Sequence, residues 1–185
     1  MTNAQSKTKA KSKTRPPLPL RTGVGIVLLD RAGRVWVGKK RPRWADASEP
    51  DSWQMPQGGI NPGEDRLSAA LRELEEETGI TSVEVLAESH DWLTWELPTH
   101  LIGTALKGRY RGQRLRWFVA RFVGPDSEID IGGRHGHKAE FTAWTWAPPH
   151  EVPSLTVPFK RTLYLDVLTE FQSLISATPP PFLAE

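Results

Sequence analysis

Apolar residues in this chain fall into short runs that clusters of turn-forming residues cut apart. Val24-Gly25-Ile26-Val27-Leu28-Leu29 is continuous and apolar, the pattern of a buried strand. Arg31-Ala32-Gly33-Arg34 turns it into Val35-Trp36-Val37-Gly38, so the two predict a hairpin. A polar loop from Lys39 to Asp51 follows and ends at Trp53-Gln54-Met55-Pro56-Gln57-Gly58-Gly59. Further strands are predicted at Val83 to Glu88, Trp92 to Leu97, Leu115 to Val123 and Phe141 to Trp146. Two stretches carry the helical period instead. One runs from about residue 65 to residue 78, with Leu67, Ala70, Leu71 and Leu74 as its apolar stripe. The other covers residues 159 to 175, where Tyr164, Val167, Leu168, Phe171, Leu174 and Ile175 form a face that should pack on the sheet. No internal repeat and no second domain is visible.

The first helix has clear ends. Asn61-Pro62-Gly63 is a turn cluster before it, and Gly79 sits where a left-handed residue closes a helix. Within it Arg72-Glu73-Leu74-Glu75-Glu76-Glu77 crowds four carboxylates into five positions. At about 100° per residue, Glu73, Glu76 and Glu77 share one side and Glu75 points elsewhere. Like charges one turn apart destabilise a helix by a few tenths of a kcal/mol per pair, roughly, unless a cation lies among them. Hard divalent ions with oxygen ligands, Mg²⁺ or Mn²⁺, suit such a face. A plain solvated acidic face is the competing reading of a charge run.

Composition narrows the class. The chain has 185 residues, 38% hydrophobic and 25% charged, which suits one domain with a sizeable core. It has no cysteine, so neither a disulfide scaffold nor a thiolate metal site is available; the usage accords with a reducing cytoplasm. No run is long enough to span a bilayer. The formal charge of +2 is misleading: five of the 24 basic residues lie in the first 17, where there is no acid, leaving 19 against 22 beyond them, or −3. Residues 1–17 are therefore expected to be a disordered basic tail, either an electrostatic arm for RNA or a solubilising extension. Residues 18–175 form the domain, and 176–185 a Pro-rich tail that frays.

The stretch around the acidic helix satisfies G-x(5)-E-x(7)-R-E-U-x-E-E-x-G-U, where U is apolar: Gly58, Glu64, Arg72, Glu73, Leu74, Glu76, Glu77, Gly79 and Ile80. This resembles the signature of the Nudix hydrolases, which cleave a nucleoside diphosphate linked to another group. The resemblance implies an α+β chain of the Nudix fold: an α/β/α sandwich with a mixed sheet and a loop-helix-loop metal site. It also implies hydrolysis of a phosphoanhydride by activated water. Mapped onto this sequence, Glu73, Glu76 and Glu77 would ligate metal with the carbonyl of Gly58, and Glu64 with Arg72 would brace the loop against the helix.

Flanking residues bear on the substrate. Trp53 to Ile60 (WQMPQGGI), Gly112 to Phe118 (GQRLRWF) and Ser154 to Arg161 (SLTVPFKR) resemble the bacterial RNA pyrophosphohydrolase branch, which also contains dinucleoside polyphosphate hydrolases; the likeness covers roughly residues 20 to 172. That branch implies phosphate contacts from Arg21, Lys40 and Lys160, further substrate contacts from Gln57, Gln113 and Phe159, and an extra metal ligand or base at Glu140, for which Glu128, Asp130 and Glu151 compete. Two or three Mg²⁺ or Mn²⁺ ions are implied as cofactors. The implied substrate is 5′-tri- or diphosphorylated RNA; a dinucleoside polyphosphate hydrolase and an inactive RNA-binding module are the alternatives. Lys107 to Arg116 carries five cations and no acid, either a nucleic-acid grip or a solvated hairpin loop. His135-Gly136-His137 invites zinc but reads more simply as a polar loop.

Overall fold

The computed structural model describes residues 17–40, 52–133, 136 and 138–177. Most of the basic arm, the 41–51 part of the polar loop, His135 and His137, and residues 178–185 lie outside the described residues.

Eight strands form one mixed sheet: β1 (Leu20–Leu29), β2 (Val35–Lys40), β3 (Trp53–Gln54), β4 (Gln57–Gly59), β5 (Val83–Glu88), β6 (Leu93–Glu96), β7 (Gly112–Phe122) and β8 (Phe141–Ala147). Order along the sheet is β3-β2-β1-β7-β5, with β4 also on β1, β6 on β7 and β8 on β2. The centre is a parallel ladder between β1 and β7, in register from Leu20 opposite Gly112 to Leu29 opposite Arg121. Every other pairing is antiparallel. Covered on both sides, the two central strands are continuously apolar where they are buried deepest, over residues 24–29 and 117–120.

Period-two alternation divides these strands between two cores. Val27, Leu29, Leu115, Trp117 and Val119 face α2 (Val152–Leu155) and α3 (Arg161–Glu170) through Val152, Leu163, Tyr164 and Val167. Val24, Ile26, Leu28, Phe118 and Ala120 face α1 (Arg66–Thr78) through Ala69, Ala70 and Leu74. The result is the expected sandwich, a mixed sheet with helices on both faces.

Three expectations need correction. The stripe of α1 is rotated from the predicted one: Ala70 and Leu74 are buried, but Leu67 is 38% exposed and Leu71 only half-buried, while Ala69, Glu77 and Thr78 are buried. At 100° per residue this is about 50° toward the carboxylate face. The rotation is possible because Glu77 enters the interior with a partner, the Gln57 amide. The last helix is not continuous either. A 3₁₀ turn at Pro158–Lys160 precedes α3, and at Phe171 the backbone leaves helical geometry (φ −93°, ψ 8°) before α4 (Gln172–Ser176). Finally, β7 begins at Gly112, ahead of the predicted start at Leu115, so Gly112 to Arg114 of the cationic stretch are strand rather than loop.

Candidate active site

The carboxylate helix is fixed at both ends by its own sequence. Asp65 caps α1, its Oδ1 accepting the amides of Leu67 (3.0 Å) and Ser68 (3.1 Å). Gly79, at φ 74°, donates its amide to the Glu75 carbonyl at 2.8 Å.

Arg72 then locks the preceding loop onto the helix. Its Nε and Nη2 reach the two oxygens of Glu64 at 2.7 and 2.9 Å, Nη2 also donates to the Gly59 carbonyl at 2.8 Å, and Nη1 donates to Glu73 (2.9 Å) and Glu76 (3.2 Å). All five guanidinium N–H groups are engaged, a fit that a lysine cannot reproduce. The Glu64 bonds raise the Arg72 pKa further, and Glu64 itself is held below the usual carboxylate range by Arg72 and by the Asn61 amide. Gly58 is where loop and helix touch: a Cβ there would overlap the Glu73 carboxylate.

Glu77 is 6% exposed and its Oε2 accepts the Gln57 amide at 3.1 Å. Burial pushes its pKa up to about 8, with Glu140 and Glu73 adding to the rise and Lys40 opposing it. Burial raises Glu73 as well, against the pull of Arg72. Glu140, at the head of β8, bonds Lys40 Nζ at 2.5 Å. Among the described residues no three such side chains stand in ion-holding geometry as placed; Arg72 and Lys40 lie on them instead. Glu73 and Glu77, hard oxygen donors held above their ordinary pKa by burial and by neighbouring carboxylates, are nonetheless the kind of donor that a divalent cation satisfies.

A cleft of about 250 Å³ opens from these acids across the α3 face of the sheet. It brings together Arg21, Lys40, Gln57, Gly58, Glu73, Glu77, Gln113, Glu140, Phe159 and Lys160, which is every predicted contact except Glu64, Arg72 and Glu76. The register explains the gathering, since Arg21 pairs with Gln113 at the start of the parallel ladder and Gln57 bonds the Gln113 side chain at 3.1 Å. The competitor Glu128 is instead taken by the Thr81 and Ser82 amides.

Among the cleft residues that escaped the sequence reading, two hold Lys160. Gln54 accepts from Lys160 Nζ at 2.9 Å, and Trp95 lies under that ammonium, 4.7 Å from ring centroid to nitrogen, with Phe159 tilted against it at 5.4 Å. Trp95 alternates like a core residue, and only its neighbours across the fold reveal that it forms a wall. The cleft therefore has an acidic end, a cationic side and an aromatic end. No helix among the described residues is long and apolar enough to cross a membrane.

Known proteins resemble this chain in sequence and in fold. The chain is 53% identical over 163 residues to an RNA pyrophosphohydrolase of Rhodopseudomonas palustris, covering 86% of this chain and 96% of that one. It is 52% identical over 165 residues to an RNA pyrophosphohydrolase of Rhizobium meliloti, covering 88% and 99%. Among solved structures, the E. coli dihydroneopterin triphosphate pyrophosphohydrolase (TM-score 0.61, 20% identity, 86% of this chain and 99% of that one) has the same fold. So does a C. elegans Ap4A hydrolase complex (0.58, 18%, 85% and 98%). The NUDIX domain matches residues 19–167. Proteins of this kind generally use divalent metals, and the chain belongs to the NUDIX-domain family, the Nudix hydrolases.

Proposed function

We propose that this protein is a metal-dependent RNA pyrophosphohydrolase of the cytoplasm, removing pyrophosphate or successive phosphates from the 5′ end of tri- or diphosphorylated RNA to leave a 5′-monophosphate. The observation that carries the reading is the cleft itself, in which Glu73, Glu77 and Glu140 share one lining with Arg21, Lys40 and Lys160 and with the Trp95–Phe159 pair. The identity of about half with proteins named for this activity supports it.

Glu73, Glu76 and Glu77, with Glu140 and the Gly58 carbonyl, would hold two or three Mg²⁺ or Mn²⁺ ions. Bound there, such ions supply charge neutralisation on the phosphates and a lowered pKa for the attacking water. Arg21, Lys40 and Lys160 offset charge developing on the leaving phosphate. Glu140 would take a proton once Lys40 turns to a phosphate, Gln57 and Gln113 would form the floor, and Phe159 with Trp95 would stack a base. Arg72 and Glu64 keep the loop in place and touch no substrate. A 5′-monophosphate product would feed nucleases that require that end, promoting mRNA decay.

The test is a side-by-side assay with Mg²⁺ or Mn²⁺, offering 5′-triphosphorylated RNA and diadenosine tetraphosphate at equal concentration. Preference for the RNA is expected. Preference for the dinucleotide overturns the proposal, and cleavage of neither, with RNA affinity unchanged in Glu76→Gln, identifies a binding module.

A further inference from the structure

The connection between β6 and β7 contains a feature the cleft chemistry does not use. Leu106 (φ 51°, ψ 39°) and Lys107 (φ 58°, ψ 24°) are consecutive side-chain-bearing residues in the left-handed region, and among the described residues no other non-glycine residue has a positive φ. L-residues adopt that conformation at a free-energy cost, so it persists only where the surroundings enforce it, and such spots cluster at ligand clamps.

The enforcement is visible. Gly103 and Gly108, both at positive φ, lie back to back, where a Cβ on Gly108 would press the Gly103 carbonyl at 2.5 Å. Arg111 anchors the base of the turn, its amide on the Pro19 carbonyl (3.0 Å), its Nη1 on the Leu18 carbonyl (2.6 Å) and its Nε on Glu96 (3.0 Å). The outcome is a fixed division of neighbours: Leu106 lines the cleft with Leu97, Leu101 and Ala105, while Lys107 stands exposed at its rim. Arg109, also exposed, lies over the Tyr110 ring at 5.9 Å. Among the described residues neither Lys107 nor Arg109 forms an ion pair; the nearby acid, Glu96, is taken by Arg111.

We infer that this turn is a second binding element, a rim that receives the RNA strand downstream of the nucleotides in the cleft. Lys107 and Arg109 meet backbone phosphates, and the Arg109–Tyr110 pair offers a stacking surface for an unpaired base. Two exposed cations beside an aromatic ring, next in the chain to a residue that lines the cleft, fit a single-stranded polyanion. A dinucleoside polyphosphate, which carries no phosphate beyond its bridge, has no use for them. The inference rests on the RNA reading above.

The double variant Lys107→Asn/Arg109→Gln tests it, asparagine being chosen because it tolerates the left-handed conformation. Binding of a 5′-monophosphorylated octaribonucleotide is followed by fluorescence anisotropy across a salt series, alongside turnover of diadenosine tetraphosphate. Loss of two single-strand phosphate contacts should weaken RNA binding about tenfold at low salt, lower the slope of log affinity against log salt by about 1.4, and leave dinucleotide turnover within about twofold. Lys107→Arg/Arg109→Lys should restore the slope. An unchanged slope, or equal losses on RNA and dinucleotide, overturns the inference. If the wild-type protein releases nothing from triphosphorylated RNA and the variant's slope still falls, the rim stands and the pyrophosphohydrolase reading is what fails.

Discussion

Replacing Arg72 with alanine should destabilise the protein far more than an ordinary surface charge deletion. Five N–H donors disappear at once, four of them bonded to carboxylates of Glu64, Glu73 and Glu76, whose side chains are 16%, 17% and 13% exposed against 27% for Arg72 itself. Breaking a fully buried ion pair by removing one partner costs roughly 3–5 kcal/mol, and an exposed pair contributes under about 1 kcal/mol. With the cluster between those limits, about 2–4 kcal/mol is expected. For a domain of this size that is a fall in melting temperature of about 5–15 °C. Arg72→Lys keeps the charge but not the planar fork, and should lose about half as much. Thermal unfolding in metal-free buffer near neutral pH measures both. Added Mg²⁺ should then raise the melting temperature of Arg72→Ala more than that of the wild type, because Glu73 and Glu76 have lost their internal cation. A melting temperature for Arg72→Ala within about 2 °C of wild type would refute the bracing role, as would an equal Mg²⁺ effect in both proteins.

Two further predictions follow from the same end of the cleft. Gly58→Ala puts a methyl group into the Glu73 carboxylate, so Mn²⁺ affinity measured by calorimetry should fall at least about tenfold, since a displaced ligand or its support typically costs 10–100-fold; unchanged affinity would show that Glu73 need not occupy that position. Glu77, raised from 4.5 to about 8, binds more protons folded than unfolded. Its contribution to metal-free stability is therefore full below about 4.5 and is lost as pH rises toward about 8, while a cation gains most where the proton has left. Mg²⁺ should stabilise the protein more at about pH 8.5 than at about pH 6, and Glu77→Gln should flatten the difference; an equal effect at both pH values in the wild type would exclude Glu77 as the linked group.

The parts of this molecule that were legible in the sequence are those specified locally. The α1 boundaries followed from Asn61-Pro62-Gly63 and Gly79, because the cause of each lies within a few positions. What was not legible has distant causes. The helix axis breaks at Phe171 without a glycine or proline to announce it, and the Phe171 amide still donates to the Val167 carbonyl at 3.2 Å. The α1 stripe turned toward its acids because a backbone amide 20 residues earlier receives Glu77. Strands β3 and β4, of two and three residues, are too short to carry a period. Trp95 and Gln54 join the cleft through Lys160, a residue that packing brings to them from the far end of the chain. The left-handed Leu106-Lys107 turn is opaque for another reason, since neither residue type advertises that conformation.

The parallel ladder of β1 and β7 imposes an order of assembly. Its first pair joins Leu20 to Gly112 and thereby sets Arg21 beside Gln113, so the cleft floor requires closure of a loop that already contains the whole carboxylate helix. Non-local pairing of this kind is slow to form, because loop closure precedes the contacts that reward it. Chains are synthesised from the N-terminus, so α1 emerges with all its carboxylates well before any cleft exists to receive a phosphate, and Lys160 closes the cationic side later still. A growing chain is thus an acidic helix beside a strand that has β2 and β4 to pair with but whose β7 edge is still open, and the site becomes a site only once Lys160 has joined it.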